Sequence, residues 1–496
     1  MGRVLPWAGL LLGVFLFRLP GFAFGILNVD ETDFYLCARR MVEGGLPYVD
    51  VYNDKPVLVF LPYLVGAAFG FHMWPVRVVA GLWLFATCAV LKQAAFIWTG
   101  RSAVGWAAAV LGLLATCCDV PSVSAELLMN LPIAGALFFF IRAQKEDRIS
   151  DQAWCGLSIG LASLFKQQAG LVLISLSLAH LLSGFEPTAQ RRANGARLAR
   201  LWIGFAAPWA AAGLAYALLG HWRDFFEWNV ERTFLYFNRG AGSVLQRLAI
   251  SLGECILGTT PLIWWLAARE SAGQRELIRF GLALTLWLTW IPVSLGGRFY
   301  EHYFLQFAPS LALLAAPGLV ALWDRRRALT RWRSIALALA LALPPIASLT
   351  VAFGLGVVGH YPSENPKANQ IASWLSAHTA PSERVFIWGY FPPIYFLAQR
   401  MPATRYLHLG PLFGNFDPHH LQPGFDAAAH ASARDVSRTL QDLEAHQPAV
   451  IVDTAPADIH DWAKIPLEKF PWLARYVEDK YRLVDWSGGA AIYQRR

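Results

Sequence analysis

Charge is scarce in this chain: Asp, Glu, Lys and Arg make up only 15% of its 496 residues, against 56% hydrophobic residues and a mean hydropathy of +0.39. A soluble domain does not have that balance, so the composition reads as an integral membrane protein. Cysteine is sparse as well. There are six, none beyond Cys255 and most inside apolar runs, which leaves the polar C-terminal part without a disulfide framework. Cys117-Cys118 reads as a pair of small buried hydrophobes. Internal repeats, long low-complexity segments, Gly-rich phosphate loops and Cys/His metal spacings are all missing. The formal charge of +8 and the pI near 9.2 are not evidence for nucleic acid, because the basic residues fall in short clusters between apolar runs. The positive-inside rule accounts for such clusters, and no nucleic-acid partner is expected.

What the sequence does have is apolar length. Judged against a hydrocarbon core of roughly 30 Å, hydropathy gives about eleven spans. They cover residues 4–26, 75–98, 103–118, 123–141, 153–165, 169–182, 201–219, 244–267, 278–295, 303–323 and 335–358. The first follows Arg3 and shows no small-residue cleavage site before Arg18, so it reads as an uncleaved anchor. Arg3, Arg101, Arg142 to Arg148, Arg191 to Arg200, Arg269 to Arg279 and Arg325 to Arg333 then fall on one side, the cytoplasmic one. The loops at Asn28 to Trp74, Asp119 to Ser122, Lys166 to Gln168, His221 to Gly242 and Gly296 to His302 fall on the other, together with the tail from about His360.

This gives a polytopic α-helical membrane protein with interfacial helices, divided into a membrane part, 1–358, and an extracytoplasmic α/β domain, 359–496. The run Val57 to Phe71 is short for crossing and would invert every later basic loop, so it reads as an interfacial or dipping helix. Thr32 to Val42 has the spacing of a second, with Asp30 or Thr32 as cap and Gly44-Gly45 as stop. His221 to Asn238, rich in Trp and Phe, suits a third. In the tail, Lys367 to His378 and Ala431 to Glu444 have helical patterns. Arg384 to Trp388 and Ala449 to Val452 look like strands, and Tyr481 to Gln494 suits a hairpin around Gly488-Gly489.

The candidate chemical residues all lie on the outer face. Asp30-Glu31 followed by Asn53-Asp54-Lys55-Pro56 puts carboxylates beside a cation at the membrane surface. An apolar surface raises a carboxylate's proton affinity, which suits it to take a proton from a hydroxyl. As ordinary structure, the same residues would be helix-terminal charges and a snorkelling lysine. Lys166 stands between Phe165 and Gln167 within apolar sequence, where a charge is expensive; it reads as functional or as a structural partner of Glu126 or Asp119. In Gly296-Gly297-Arg298-Phe299-Tyr300-Glu301-His302-Tyr303, Arg298 offers a fork for phosphate oxygens, while the tyrosines also suit an aromatic interface belt.

In their order along one membrane face, these segments resemble the C-type glycosyltransferases. The similarity is greatest to the bacterial branch of lipid A aminoarabinose transferases, protein O-mannosyltransferases and lipopolysaccharide-core galacturonosyltransferases. It runs through Val29-Asp30-Glu31 with Tyr35 and Met41, Gly44-Gly45-Leu46-Pro47-Tyr48, Asn53-Asp54-Lys55-Pro56, Ala125-Glu126, Phe165-Lys166-Gln167, and Gly297-Arg298-Phe299-Tyr300 with His302-Tyr303-Phe304. One departure is the loop beyond the third span, which holds Asp119 without a preceding Arg and leaves the second carboxylate role open between Asp119 and Glu126.

The resemblance implies inverting transfer of a sugar from a polyprenyl-phosphate donor to a lipid or glycan acceptor, on the periplasmic side of the inner membrane, as in lipopolysaccharide modification. Asp30 and Glu31 would be catalytic, with Asp30 the base. Lys55, Lys166 and Arg298 would neutralise the donor phosphate. Asp54, Asp119, Glu126, Tyr300 and His302 would orient sugar or acceptor, and Glu31, Asp54 and Glu126 are the carboxylates that would share a divalent cation if one is used. A flippase of lipid-linked sugars is the alternative, since charges in polytopic proteins also line transport paths. A glycan polymerase is a third reading, for which an arginine-rich outer loop would be expected.

Overall fold

The computed structural model describes residues 4–182, 188–235, 244–258, 261–272, 276–295, 297–326, 330–414, 418–421 and 424–496. The protein is a multi-pass helical membrane protein. Among the described residues, six helices are long and apolar enough to cross: Trp74–Thr99, Ala125–Lys145, Asn194–Leu218, Leu277–Ser294, Glu301–Asp324 and the helix that begins at Arg331. Shorter helices occupy other runs of the hydropathy trace. Leu5–Phe17, Ser102–Leu114 and Asp151–Ser163 have 13 residues each. At 1.5 Å per residue such a helix is about 20 Å long, less than the hydrocarbon core.

Glycine lets the helices approach closely. A Cβ at Gly156 would run into the Leu201 carbonyl, and one at Gly204 into the Ala153 carbonyl, so Asp151–Ser163 lies backbone to backbone against Thr188–Leu218. Between the first and second long apolar runs the chain forms a platform from the helix Val29–Val42, the short 3₁₀ turn Val57–Phe60 and the helix Leu61–Ala68. The platform helix starts three residues earlier than its apolar spacing suggested. Its cap is Asn28, not Asp30 or Thr32: the Asn28 side chain accepts from Asp30 N at 2.9 Å, and the Glu31 carboxylate reaches back to Asn28 N. Of the third interfacial segment, Trp222–Phe226 is α-helix and Glu227–Glu231 a π turn; its end at residues 236–238 lies outside the described residues.

Residues beyond the last long helix build a four-stranded sheet, β1 (Val385–Trp388), β2 (Val450–Asp453), β3 (Tyr481–Ser487) and β4 (Ala490–Arg495), in the order β1-β2-β4-β3. β1 and β2 are parallel and wholly buried, in keeping with the apolar runs Val385 to Trp388 and Val450 to Val452; β2 ends on the buried Asp453. β3 and β4 form the hairpin, and both of its turn residues, Gly488 and Gly489, have positive φ, which glycine adopts without penalty. Pro366–His378, Ala433–His446 and Pro471–Lys480 are the longer helices of this region, and Pro393–Ala398 is a shorter one.

Candidate functional site

The Asn28 cap aims the first turn of the platform helix and thereby separates its acidic residues. Glu31 points back into the protein, where it is 1% exposed. Both its oxygens bond the Arg77 guanidinium, and the carboxylate also accepts from Leu27 N at 2.9 Å and Val123 N at 2.7 Å. Burial works against its ionisation, but Arg77 and these N–H groups overcome it and hold the acid below its ordinary range. Glu31 thus ties the platform helix to the long helix Trp74–Thr99 and to the segment before Ala125–Lys145. Arg18 reinforces the junction by donating to the Pro121 and Ser122 carbonyls at 3.0 and 3.2 Å.

Asp30 is half-buried, and its carboxylate makes no hydrogen bond among the described residues. Asp33, one turn on, is 6% exposed. Its Oδ1 meets no donor among the described residues, and burial together with the charges of Asp30 and Asp54 raises this acid well above the ordinary aspartate value. Lys55 Nζ lies 2.7 Å from Asp54 Oδ1. The loop that carries this pair is set by Lys55 N on Asn53 Oδ1 at 3.0 Å, by Tyr48 Oη donating to the Lys55 carbonyl at 2.8 Å, and by Gln167 Nε2 on the Asp54 carbonyl at 3.3 Å.

Lys166, 6% exposed, pairs with Glu126, and its ammonium stands 4.1 Å from the centre of the Tyr303 ring. Glu126 rather than Asp119 is therefore its carboxylate partner. His302 Nε2 is 4.0 Å from the same Glu126 oxygen, and the His302 ring stacks on Tyr300 at 5.6 Å. Arg298, 7% exposed, lies in a turn in which Gly297 and Phe299 both have positive φ, with the Gly297 carbonyl accepting from Arg247 Nε at 2.8 Å. Gly296 lies outside the described residues. Asp119 is half-buried and lines a small cavity with Arg18, Ser122 and Leu305. Burial and the charges of Glu301 and Glu126 raise its pKa.

Asp30, Asp33 and Asp54 thus share one electrostatic neighbourhood with Lys55, and Lys166 with Glu126 reaches it from the next loop. Among the described residues no three His, Cys, Asp or Glu side chains converge in the manner of metal ligands.

The C-terminal region covers this cluster. Tyr52 N donates to the Arg405 carbonyl at 2.7 Å, and Arg405, itself held by Asp442 at 2.7 Å, donates to Tyr52 Oη at 3.2 Å. Arg232 bridges Glu227 and Asp435 at 2.9 and 2.6 Å, and Arg434 adds a bond to Glu227 at 2.7 Å. His408 Nε2 comes within 3.6 Å of Asp33 Oδ2. Neither Asp33 nor His408 was legible as a site residue. The one signal for Asp33 is a third acid, at i+3 from Asp30, on a helix otherwise filled with buried residues.

No family model matches the chain, and no curated protein matches it in sequence. Solved structures do match in shape. ArnT from Cupriavidus metallidurans bound to undecaprenyl phosphate aligns with a TM-score of 0.65 at 14% identity, over 99% of this chain and 98% of that one. The Archaeoglobus fulgidus oligosaccharyltransferase aligns at 0.56 and 13%, over 99% and 74%. Mycobacterial arabinofuranosyltransferase AftD aligns at 0.51 and 15%, over 99% and 41%. At these identities the likeness is one of fold: the chain shares the architecture of these membrane-protein structures.

Proposed function

We propose that the protein is an inverting glycosyltransferase that moves a sugar from a polyprenyl-phosphate donor to a lipid or glycan acceptor at the extracytoplasmic face of the inner membrane, with residues 359–496 as a periplasmic domain. The observation that carries this reading is the joining of the Asp54–Lys55 pair, through Gln167 Nε2 on the Asp54 carbonyl, to the loop that holds the Lys166–Glu126 pair, with Asp30 and Asp33 near enough to feel these charges. The fold shared with ArnT, which was solved with undecaprenyl phosphate, supports the donor class.

The chemistry follows from the charges. An acceptor hydroxyl attacks the anomeric carbon from the face opposite the phosphate; the new C–O bond forms as the bond to the phosphate oxygen breaks, and configuration inverts. Asp30, with no competing hydrogen bond among the described residues, takes the hydroxyl proton. The electron pair leaves on the phosphate oxygen, where Lys55 and Arg298 stabilise the growing charge. Lys166 contributes from deeper, its position fixed by Glu126 and Tyr303. Asp54 orients Lys55, and His302 and Tyr300 line the sugar side. Glu31 acts as a positioning residue, because all of its bonding capacity faces the protein. No covalent enzyme intermediate is needed, and the fixed dipoles and charges reorganise little during the step.

The test is a transfer assay in lipid with purified protein, a panel of radiolabelled polyprenyl-phosphate sugars and extracted envelope glycolipids. Label should reach a glycolipid with the wild type and not with Asp30→Asn. Failure of transfer from every donor, with intact lipid-linked sugar crossing between leaflets, would replace this reading with a flippase.

A further inference from the structure

In open α/β sheets, ligands sit outside the carboxyl ends of the parallel strands. β1 and β2 end together, with Trp388 opposite Asp453. The chain leaving β1 carries Tyr390, and the loop leaving β2 carries His460. Their rings stack with centres 5.2 Å apart and planes 3° from parallel. On one side the row continues to His419, whose Nε2 is 3.0 Å from His460 Nδ1 and whose Nδ1 is 3.0 Å from Asp461 Oδ2. On the other, the Tyr390 ring lies 4.3 Å from His408. His408 then meets Asp33 at 3.6 Å.

The row therefore has an exposed end, His419, and a buried end, a carboxyl whose Oδ1 is without a donor among the described residues and which shares the Asp30 neighbourhood. His460 and Asp461 both hold left-handed backbone, φ 59° and 58°. Non-glycine residues do this at a cost, and here it keeps the His460 ring against Tyr390. Flat rings with polar edges match a sugar, which offers apolar C–H faces and a rim of hydroxyls.

We propose that Asp33 and His408 form the acceptor-binding pair of the site, with Tyr390 and His460 continuing it as an aromatic wall for a carbohydrate ring of the acceptor. This inference rests on the transferase reading and deepens it. The donor phosphate lies with Lys55, Lys166 and Arg298, while the acceptor enters from beneath the C-terminal region and presents its hydroxyl between Asp33 and Asp30. Asp33 faces Asp30 and Cys37 on its own helix, Asp54 and Lys55 from the adjoining loop, and His408 from the C-terminal region. His408 is thus the residue by which that region enters the site.

The experiment measures KM separately for the polyprenyl-phosphate sugar and for the extracted glycolipid in wild type, Asp33→Asn, His408→Gln, the double variant and Tyr390→Leu. The expected result is an acceptor KM raised about tenfold or more in each single variant, the loss of a hydrogen bond to a charged or buried group, with donor KM moved less than about twofold. The double variant should lose less than the product of the two single effects, since the two residues act as a unit. Donor and acceptor KM rising together, or neither moving, would overturn the pair. If Asp33→Asn does not fold, His408→Gln reads the same quantity from the other side of the contact. A wild type inert toward every donor would refute the transferase reading and this inference with it, whereas an active wild type with unchanged variants refutes only the pair.

Discussion

The two sides of one helical turn could hardly be used more differently. Behind the platform helix, Glu31 is saturated: a bidentate guanidinium and backbone N–H groups from two other segments occupy its oxygens. In front, Asp30 and Asp33 stand in a neighbourhood of like charge, and Asp33 keeps a buried oxygen with no donor among the described residues. The same kind of side chain, two residues apart, is saturated with partners on one side and keeps an oxygen without a donor among the described residues on the other. What distinguishes them is the number of partners, not burial, since Glu31 and Asp33 are both buried. A satisfied buried carboxylate commits its interaction energy to the fold; an unsatisfied one retains it for a ligand.

Four measurements would break or sharpen that contrast. The largest effect belongs to the front: Asp30→Asn should lower kcat by about 10²–10⁴-fold, the usual contribution of a general base, with thermal unfolding in detergent unchanged. A stable and fully active variant would remove Asp30 from the base role. Behind the helix the pattern should reverse. Glu31→Gln strands the buried Arg77 charge and should cost about 3–5 kcal/mol of stability, read as a lowered unfolding midpoint. Whatever folds of that variant should keep a donor KM near the wild-type value. A variant as stable as wild type would show that Arg77 finds other partners.

The third test concerns the cover. Arg405→Ala removes the bond to Tyr52 and the pairing with Asp442, and should cost about 1.5–3 kcal/mol. Limited proteolysis of the C-terminal region at neutral pH would detect the loosening, and unchanged cleavage would count against this seam.

The smallest effect is in pH, where the two acids differ in sign. Glu31 is held below its ordinary pKa, so its contribution to stability is present above the unfolded value near 4.5 and is lost as pH falls through the folded one. Asp33 is held above its ordinary value of 3.8, so the folded state keeps its proton longer than the unfolded chain. Its contribution falls as pH rises through the window between those two values. Asp33→Asn should remove the fall in stability that sets in as pH rises above 3.8, by roughly 1–3 kcal/mol, and leave the loss through the Glu31 titration at lower pH in place. An unchanged fall above 3.8 would contradict the assignment.

Much of the fold was legible in the residues because it rests on local or compositional physics. Apolar length marked the helices, Gly44-Gly45 and Gly488-Gly489 marked the turns, and the short apolar runs of β1 and β2 marked two strands. The platform was legible to its approximate bounds, but its cap was not. Asn28 lies outside the apolar spacing, and its role depends on Glu31 turning back to close the box. The span count rested on apolar length, and an apolar run does not say how much of itself will be helical.

The site divides along the same line. Asp30, Asp54, Lys55, Lys166, Glu126, Arg298, Tyr300 and His302 were visible as polar residues in apolar surroundings, a contrast that a sequence records directly. That Lys166 pairs with Glu126, 40 positions away, was one alternative among several until the two helix ends were seen together. Asp33 was hidden among three acids in four positions, and His408 among ordinary residues of a polar tail.

The sequence by itself determined that the chain belongs in a membrane and where polar residues interrupt its apolar runs, because burying charge in hydrocarbon is so costly that each exception is conspicuous. Only the tertiary structure decided which of the acids are saturated by partners and which are not, and that the C-terminal region completes the cluster. Those outcomes depend on contacts of a few ångströms between segments hundreds of residues apart, and pattern along the chain does not encode such distances.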